Sequence, residues 1–165
     1  MKKIICILMC ICLCSCLFGC GGESNETEVS KYSPPAKNQL FGKDASGAVG
    51  DTVEVIFELG KDTPVAASDI VVEYDASTLE YVETKQIYKL QSGYIMGNSP
   101  ELGKAKIALV TLEPPIDGGD LFSVKFKILK DCEKGSEIKA SITSCCDENF
   151  KKFVLECKGA KVFSK

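Results

Sequence analysis

The chain reads as an all-β protein: a two-sheet antiparallel β-sandwich of about nine strands, behind an N-terminal signal and a flexible tether. Three observations predict it. Apolar side chains recur at every second position through most of the chain, turn-forming residues interrupt these runs at short intervals, and no stretch after the leader shows convincing helical spacing.

The leader comes first. Met1-Lys2-Lys3 opens an apolar segment, Ile4 to Phe18, that runs into Leu17-Phe18-Gly19-Cys20. A charged start, a short apolar stretch and a small residue before a cysteine form the layout of a bacterial lipoprotein signal. Cys20 is then the lipidation site: its sulfur takes a diacylglycerol and the residue becomes the mature N-terminus. Two or three acyl chains, at about 0.8 kcal/mol per buried CH₂, anchor stably where one is marginal. A transmembrane helix needs about 20 apolar residues, more than Ile4 to Phe18 supplies. Cys16 is the alternative acceptor, and an uncleaved anchor or plain secretion stays open. Residues 1–19 are therefore read as signal peptide, 20–37 as lipidated N-terminus and linker, and 38–165 as one sandwich domain. The linker is acidic through Glu23, Glu26 and Glu28 and stiffens at Pro34-Pro35. The expected location is extracytoplasmic, lipid-anchored to a bacterial membrane at the cell surface, with a monomeric domain.

Composition removes whole classes of function. The formal net charge is −3 with no histidine and no tryptophan, and every one of the 20 basic residues is lysine. Removing Lys2 and Lys3 takes the mature chain from −3 to about −5, and no basic stripe suits nucleic acid. Without histidine there is no serine or cysteine hydrolase with a histidine base. A glycosidase holds two carboxyls about 5 to 9.5 Å apart. Asp69 and Glu73, four positions apart on one predicted strand, stand roughly 13 Å apart. The chain is read as a non-enzyme with no cofactor and no metal. Of its 10 cysteines, Cys132, Cys145, Cys146 and Cys157 belong to the domain. Buried free thiols are the leading reading. One disulfide or a metal site is the alternative, although the spacing is not that of a zinc ribbon and vicinal Cys145-Cys146 bridge each other poorly. Asp147-Glu148-Asn149 reads as a polar turn rather than a calcium site.

The strands follow from alternation. Thr52 to Leu59 puts Val53, Val55, Phe57 and Leu59 on one face and Thr52, Glu54 and Glu58 on the other. Leu121 to Leu129 opposes Phe122, Val124, Phe126 and Ile128 to Ser123, Lys125 and Lys127, and Ile138, Ala140 and Ile142 alternate with Lys139, Ser141 and Thr143. Such strands pack on one side and are wet on the other. Turns fall at Val49-Gly50-Asp51, Gly60-Lys61-Asp62, Gly118-Gly119 and Lys134-Gly135-Ser136. The last two strands are predicted as Ile138 to Cys146 and Phe153 to Val162.

Three stretches, in order, resemble the cohesin family. They are Val49-Gly50-Asp51-Thr52-Val53-Glu54-Val55, Ile70-Val71-Val72-Glu73-Tyr74-Asp75-Ala76-Ser77-Thr78-Leu79-Glu80-Tyr81, and Gly119-Asp120-Leu121-Phe122-Ser123-Val124-Lys125-Phe126-Lys127. Ala76 stands where the family usually has proline. The resemblance covers about Gly50 to Val162 and implies a jelly-roll sandwich that binds rather than catalyses. Its implied partner is a dockerin-type module of polysaccharide-degrading machinery, and Asp69 matches a family position that hydrogen-bonds the dockerin.

The residues themselves place Ile70, Val72 and Tyr74 on one face and Ala67, Asp69, Val71 and Glu73 on the other, so Asp69, Val71 and Glu73 are the candidate partner contacts. Lys104 to Leu112 is expected in the same sheet, with its outward side hidden by an apolar run. A carbohydrate-binding lipoprotein is the alternative. It needs exposed aromatic planes, and without tryptophan these fall to Tyr88 and Tyr94 in the loop-like stretch Lys85 to Asn98, because Tyr74 and Tyr81 are expected at the core. A structural subunit of an envelope assembly is the third reading.

Overall fold

The computed structural model describes residues 32–113 and 115–165. The expected lipid acceptor Cys20, the expected signal 1–19 and the expected linker up to residue 31 lie outside the described residues.

Among the described residues the only regular elements are 11 strands: β1 (Gln39–Gly42), β2 (Ala45–Gly47), β3 (Thr52–Leu59), β4 (Ala67–Tyr74), β5 (Leu79–Gln86), β6 (Ser92–Glu101), β7 (Lys104–Glu113), β8 (Gly119–Ile128), β9 (Ser136–Cys146), β10 (Glu156–Lys158) and β11 (Ala160–Ser164). They form two sheets, one in the order β10-β1-β3-β8-β5 and the other β2-β11-β9-β4-β7-β6. β3 follows the predicted alternation throughout, with Val53, Val55, Phe57 and Leu59 buried. Between the sheets, the Phe57 and Phe122 rings stack at 4.9 Å, and Tyr74 of one sheet meets Phe126 of the other at 5.0 Å. The Tyr74 hydroxyl reaches Ser99 Oγ at 3.3 Å, so its polar tip is satisfied at the edge of the core.

The two-sheet sandwich is the one expected, with 11 strands where about nine were counted and two parallel pairings among the antiparallel ones. The first and last strands each divide and pass from one sheet to the other, at Lys43-Asp44 and at Gly159. These crossing segments run side by side, so β1 pairs with β10 and β2 with β11 in parallel, whereas the other pairings are antiparallel. The predicted strand Phe153 to Val162 is thus two short strands in different sheets. Glycine permits the switch, because a Cβ on Gly159 would lie 1.9 Å from the Ile138 carbonyl oxygen.

Two bulges explain where alternation fails. The β3–β8 register shifts at Phe57/Glu58, leaving Leu121 and Phe122 both buried in succession. The β4–β9 register shifts at Asp69/Ile70, leaving Thr143 and Ser144 both exposed before Cys145 turns back inward. Each inserts one extra residue and reverses the side-chain parity beyond it. Ser123, expected on the wet side, is fully buried: it sits on a central strand between Ile56 and Lys85 and donates to a Glu54 carboxylate oxygen.

The family-like Tyr74-Asp75-Ala76-Ser77 segment has a structural role at its turn. Asp75 Oδ1 accepts the Ser77 amide at 2.8 Å and the Asp75 carbonyl accepts the Leu79 amide at 2.9 Å, which turns β4 into β5. Behind the first sheet, Tyr32 lies against Phe41. Its hydroxyl donates to Glu58 at 2.6 Å, while the Lys43 ammonium sits 5.3 Å from its ring centroid.

The four domain cysteines are free: Cys145 is buried and Cys132, Cys146 and Cys157 are half-buried. Burial pushes the Cys145 and Cys157 thiols up to about 11, which keeps them neutral and unreactive at ordinary pH. Asp147 Oδ1 accepts the amides of Asn149 and Lys151 at 2.9 Å each, so this carboxylate closes a turn.

Candidate functional site: the outward face of the second sheet

β9, β4, β7 and β6 lie edge to edge, and their pairing aligns outward side chains in rows. The first row runs Cys146, Ala67, Val110, Tyr94, and the second Ser144, Asp69, Ala108, Met96. The third runs Ser141, Val71, Lys106, Asn98, and the fourth begins Lys139, Glu73, Lys104. Alternation produces this arrangement, since Ser68, Ile70, Val72, Ala105, Ile107, Leu109 and Ile95 all turn inward and are buried.

The middle of the face is apolar or small: Ala67, Val71, Ala108 and Val110 are half-buried, and Tyr94 and Met96 stand 47% and 58% exposed. Around them lie Asp69, Thr143, Ser144, Ser141, Lys106 and Asn98. A shallow depression of about 570 Å³ follows the second and third rows between Thr143 and Met96, with Asp69, Val71, Lys106 and Ala108 in its lining.

Charge is unevenly placed. Lys104 bridges Glu73 at 3.8 Å and Glu101 at 3.2 Å, which fixes the fourth row. Asp69 is exposed and its main-chain oxygen accepts the Thr143 hydroxyl at 3.2 Å. No hydrogen bond or ion pair engages the Asp69 carboxylate or the Lys106 ammonium among the described residues. Both remain available on the rim.

The structure therefore gathers Asp69, Val71 and Glu73 on one outward face, as the alternation implied, and extends that face with Tyr94, read from the sequence as a possible sugar platform, and with Met96, Ala108 and Val110, which sequence reasoning missed. Tyr94 and Met96 alternate with buried Ile95, but two apolar residues pointing outward hide the period. β7 hides it likewise, through Ala108 and Val110.

The stretch Lys85 to Asn98 is corrected from loop to mostly strand, since β5 runs to Gln86 and β6 starts at Ser92. Tyr88 is corrected as an exposed platform: it is half-buried against the core, because the short connection between the sheets is held by the Ile87 and Tyr88 amides donating to the Leu121 carbonyl at 2.9 Å each. Tyr94 is exposed as expected. Tyr74 is buried, and Tyr81 packs against the core with its hydroxyl reaching the Gly97 carbonyl at 3.3 Å.

The cohesin-domain family model matches residues 39–150. Similar solved structures include CaCohA2 from Clostridium acetobutylicum, 23% identical over 77% of this chain and 90% of that one, with a TM-score of 0.65. The sixth cohesin of scaffoldin B from Acetivibrio cellulolyticus, solved with a Cel5 dockerin, is 21% identical over 77% of this chain and 98% of that one, with a TM-score of 0.67. A non-cellulosomal cohesin from the archaeon Archaeoglobus fulgidus is 16% identical over 79% of this chain and 92% of that one, with a TM-score of 0.69. At these identities the likeness is one of fold. No curated protein matches the chain.

Proposed function

The chain belongs to the cohesin family, and on that premise we propose that the outward face of β9, β4, β7 and β6 holds a dockerin-type protein module at the cell surface, the domain being carried on a lipidated Cys20. One observation supports the docking reading above the rest. Three adjacent strands, β4, β7 and β6, present Val71, Ala108, Val110 and Met96 as an apolar centre, with Asp69, Lys106 and Asn98 around it. Specific protein interfaces share that plan of an apolar core and a polar rim. Met96 and Tyr94 are the large side chains able to fill hollows in a partner. Asp69 accepts a hydrogen bond and fixes register, while Glu73, tied to Lys104, shapes the border of the site. Several of the similar solved cohesins are in complex with dockerins, and the partner proposed here is a module of that kind, carried by a polysaccharide-degrading enzyme and kept near the cell.

Titration calorimetry of the full-length chain against a panel of dockerin modules tests this. Val71→Asp and Met96→Asp each place a charge in the apolar centre and are expected to weaken binding at least about 100-fold, with an unchanged melting temperature. Asp69→Ala is expected to weaken it about 10-fold. No heat with any module, or wild-type affinity in both aspartate variants, overturns the reading. Retention on insoluble glucans that is lost in Tyr94→Ala would point instead to a sugar ligand.

A further inference from the structure

The hairpin after β9 holds a bulky, exposed side chain in a left-handed backbone conformation. Phe150 has φ 59° and is 87% exposed. Left-handed backbone suits glycine and is tolerated by asparagine and aspartate, but it crowds a bulky L-residue. The other described non-glycine residues with positive φ obey this rule, being Asn38 at 58° and Asp62 at 60°. Phe150 breaks it.

The turn is built to maintain that conformation. The Phe150 amide donates to the Asp147 carbonyl at 3.0 Å, the Asp147 amide donates to the Lys151 carbonyl at 3.1 Å, and Cys146 pairs with Lys152 across the hairpin. A ring this exposed removes little apolar surface from water, so it adds little to the core. On the return arm Val154 is also 80% exposed. Strained backbone clusters at ligand clamps and active sites, and here it carries an exposed aromatic.

Position selects the partner. Cys146 ends the outward row that continues through Ala67 and Val110 to Tyr94, so the hairpin prolongs β9 past the border of the docking face. Four strands and four rows cover about 19 Å by 26 Å, roughly 500 Å². A standard interface takes about 800 Å² from each partner, so segments flanking the sheet must contribute, and this one presents an aromatic ring. A bilayer fits less well, because Asp147 and Glu148 offset Lys151 and Lys152 beside the ring.

We propose that Phe150 is a contact for the same protein module the sheet face holds, its ring entering an apolar hollow of that module. The inference rests on the docking reading above, and its test separates the two. Phe150→Asn in the full-length chain keeps the turn and relieves the crowding. The melting temperature is expected to rise by about 2–4 °C, while affinity for a dockerin module that wild type binds falls about 10-fold or more. A lower melting temperature shows that the ring supports the fold and overturns the proposal. Unchanged affinity overturns it alone, leaving the Val71→Asp result standing. Absence of binding by wild type removes the docking reading and this one with it. If instead Cys20→Ser chain sediments with phosphatidylglycerol vesicles and loses this with Phe150→Asn at unchanged module affinity, the ring contacts lipid and the proposal is wrong.

Discussion

Gly159→Ala probes the crossing of the last strand between the sheets. The Cβ it adds would lie 1.9 Å from the Ile138 carbonyl oxygen, where real Cβ contacts essentially never fall below 3.0 Å. The two backbones must part by the difference, at least 1.1 Å. Neither can yield easily, because Ile138 is paired with Ala160 on one side and Tyr74 on the other. Overpacking of this kind costs about 1–3 kcal/mol, and the loss of one ladder hydrogen bond adds about 1 kcal/mol. The φ of Gly159 lies outside the left-handed region, so alanine there also restricts the unfolded chain and regains about 0.4–1 kcal/mol. The net is about 1–3.5 kcal/mol of a total near 5–15 kcal/mol.

Urea denaturation followed by far-ultraviolet circular dichroism reads this as a midpoint lower by about 1–2 M. Gly50→Ala is the matched opposite. Its φ is 95° and nothing lies within 4 Å of the added Cβ, so it has room but the wrong backbone, and costs about 1–2 kcal/mol. A Gly159→Ala midpoint within about 0.3 M of wild type, or a larger loss for Gly50→Ala, would refute the crowding argument.

Two further outcomes follow from the core. Phe122→Ala removes half of the 4.9 Å ring stack and should destabilise by about 3–5 kcal/mol; a loss below about 1.5 kcal/mol in the same assay would mean the sheets close over the gap. Stability should also fall in alkali. Burial raises the Cys145 and Cys157 thiols from 9.0 to about 11 in the folded state, so their contribution is complete below pH about 9 and is lost as pH rises through the folded value. Denaturation midpoints between pH 8 and 11 should decline less steeply in Cys145→Ala than in wild type; parallel declines would remove the thiols as the cause.

Much of this architecture is readable in the chain because its strands are buried on one side. Val53, Val55, Phe57 and Leu59 repeat at every second residue, and that period leaves no helical alternative. The face of β4 was readable on the same ground, so Asp69, Val71 and Glu73 were found together. Strands of mixed character were not. On β6 and β7 the outward Tyr94, Met96, Ala108 and Val110 are apolar like their inward neighbours, and an outward face of that chemistry erases the contrast that alternation depends on.

What the sequence by itself determined is the strands buried on one side, β3, β4, β8 and β9, and the polar turns beside them, since these are local consequences of pleat geometry and solvation. Tertiary structure alone decided where β1 gives way to β2 and β10 to β11, why Ser123 is dry, and why Tyr88 caps the core. It also decided that the β9 hairpin stands beside Tyr94's row. Each depends on which distant segment lies alongside: Gly159 against Ile138, Ser123 between Ile56 and Lys85, Tyr88 beneath Leu121. No period within one strand carries that information.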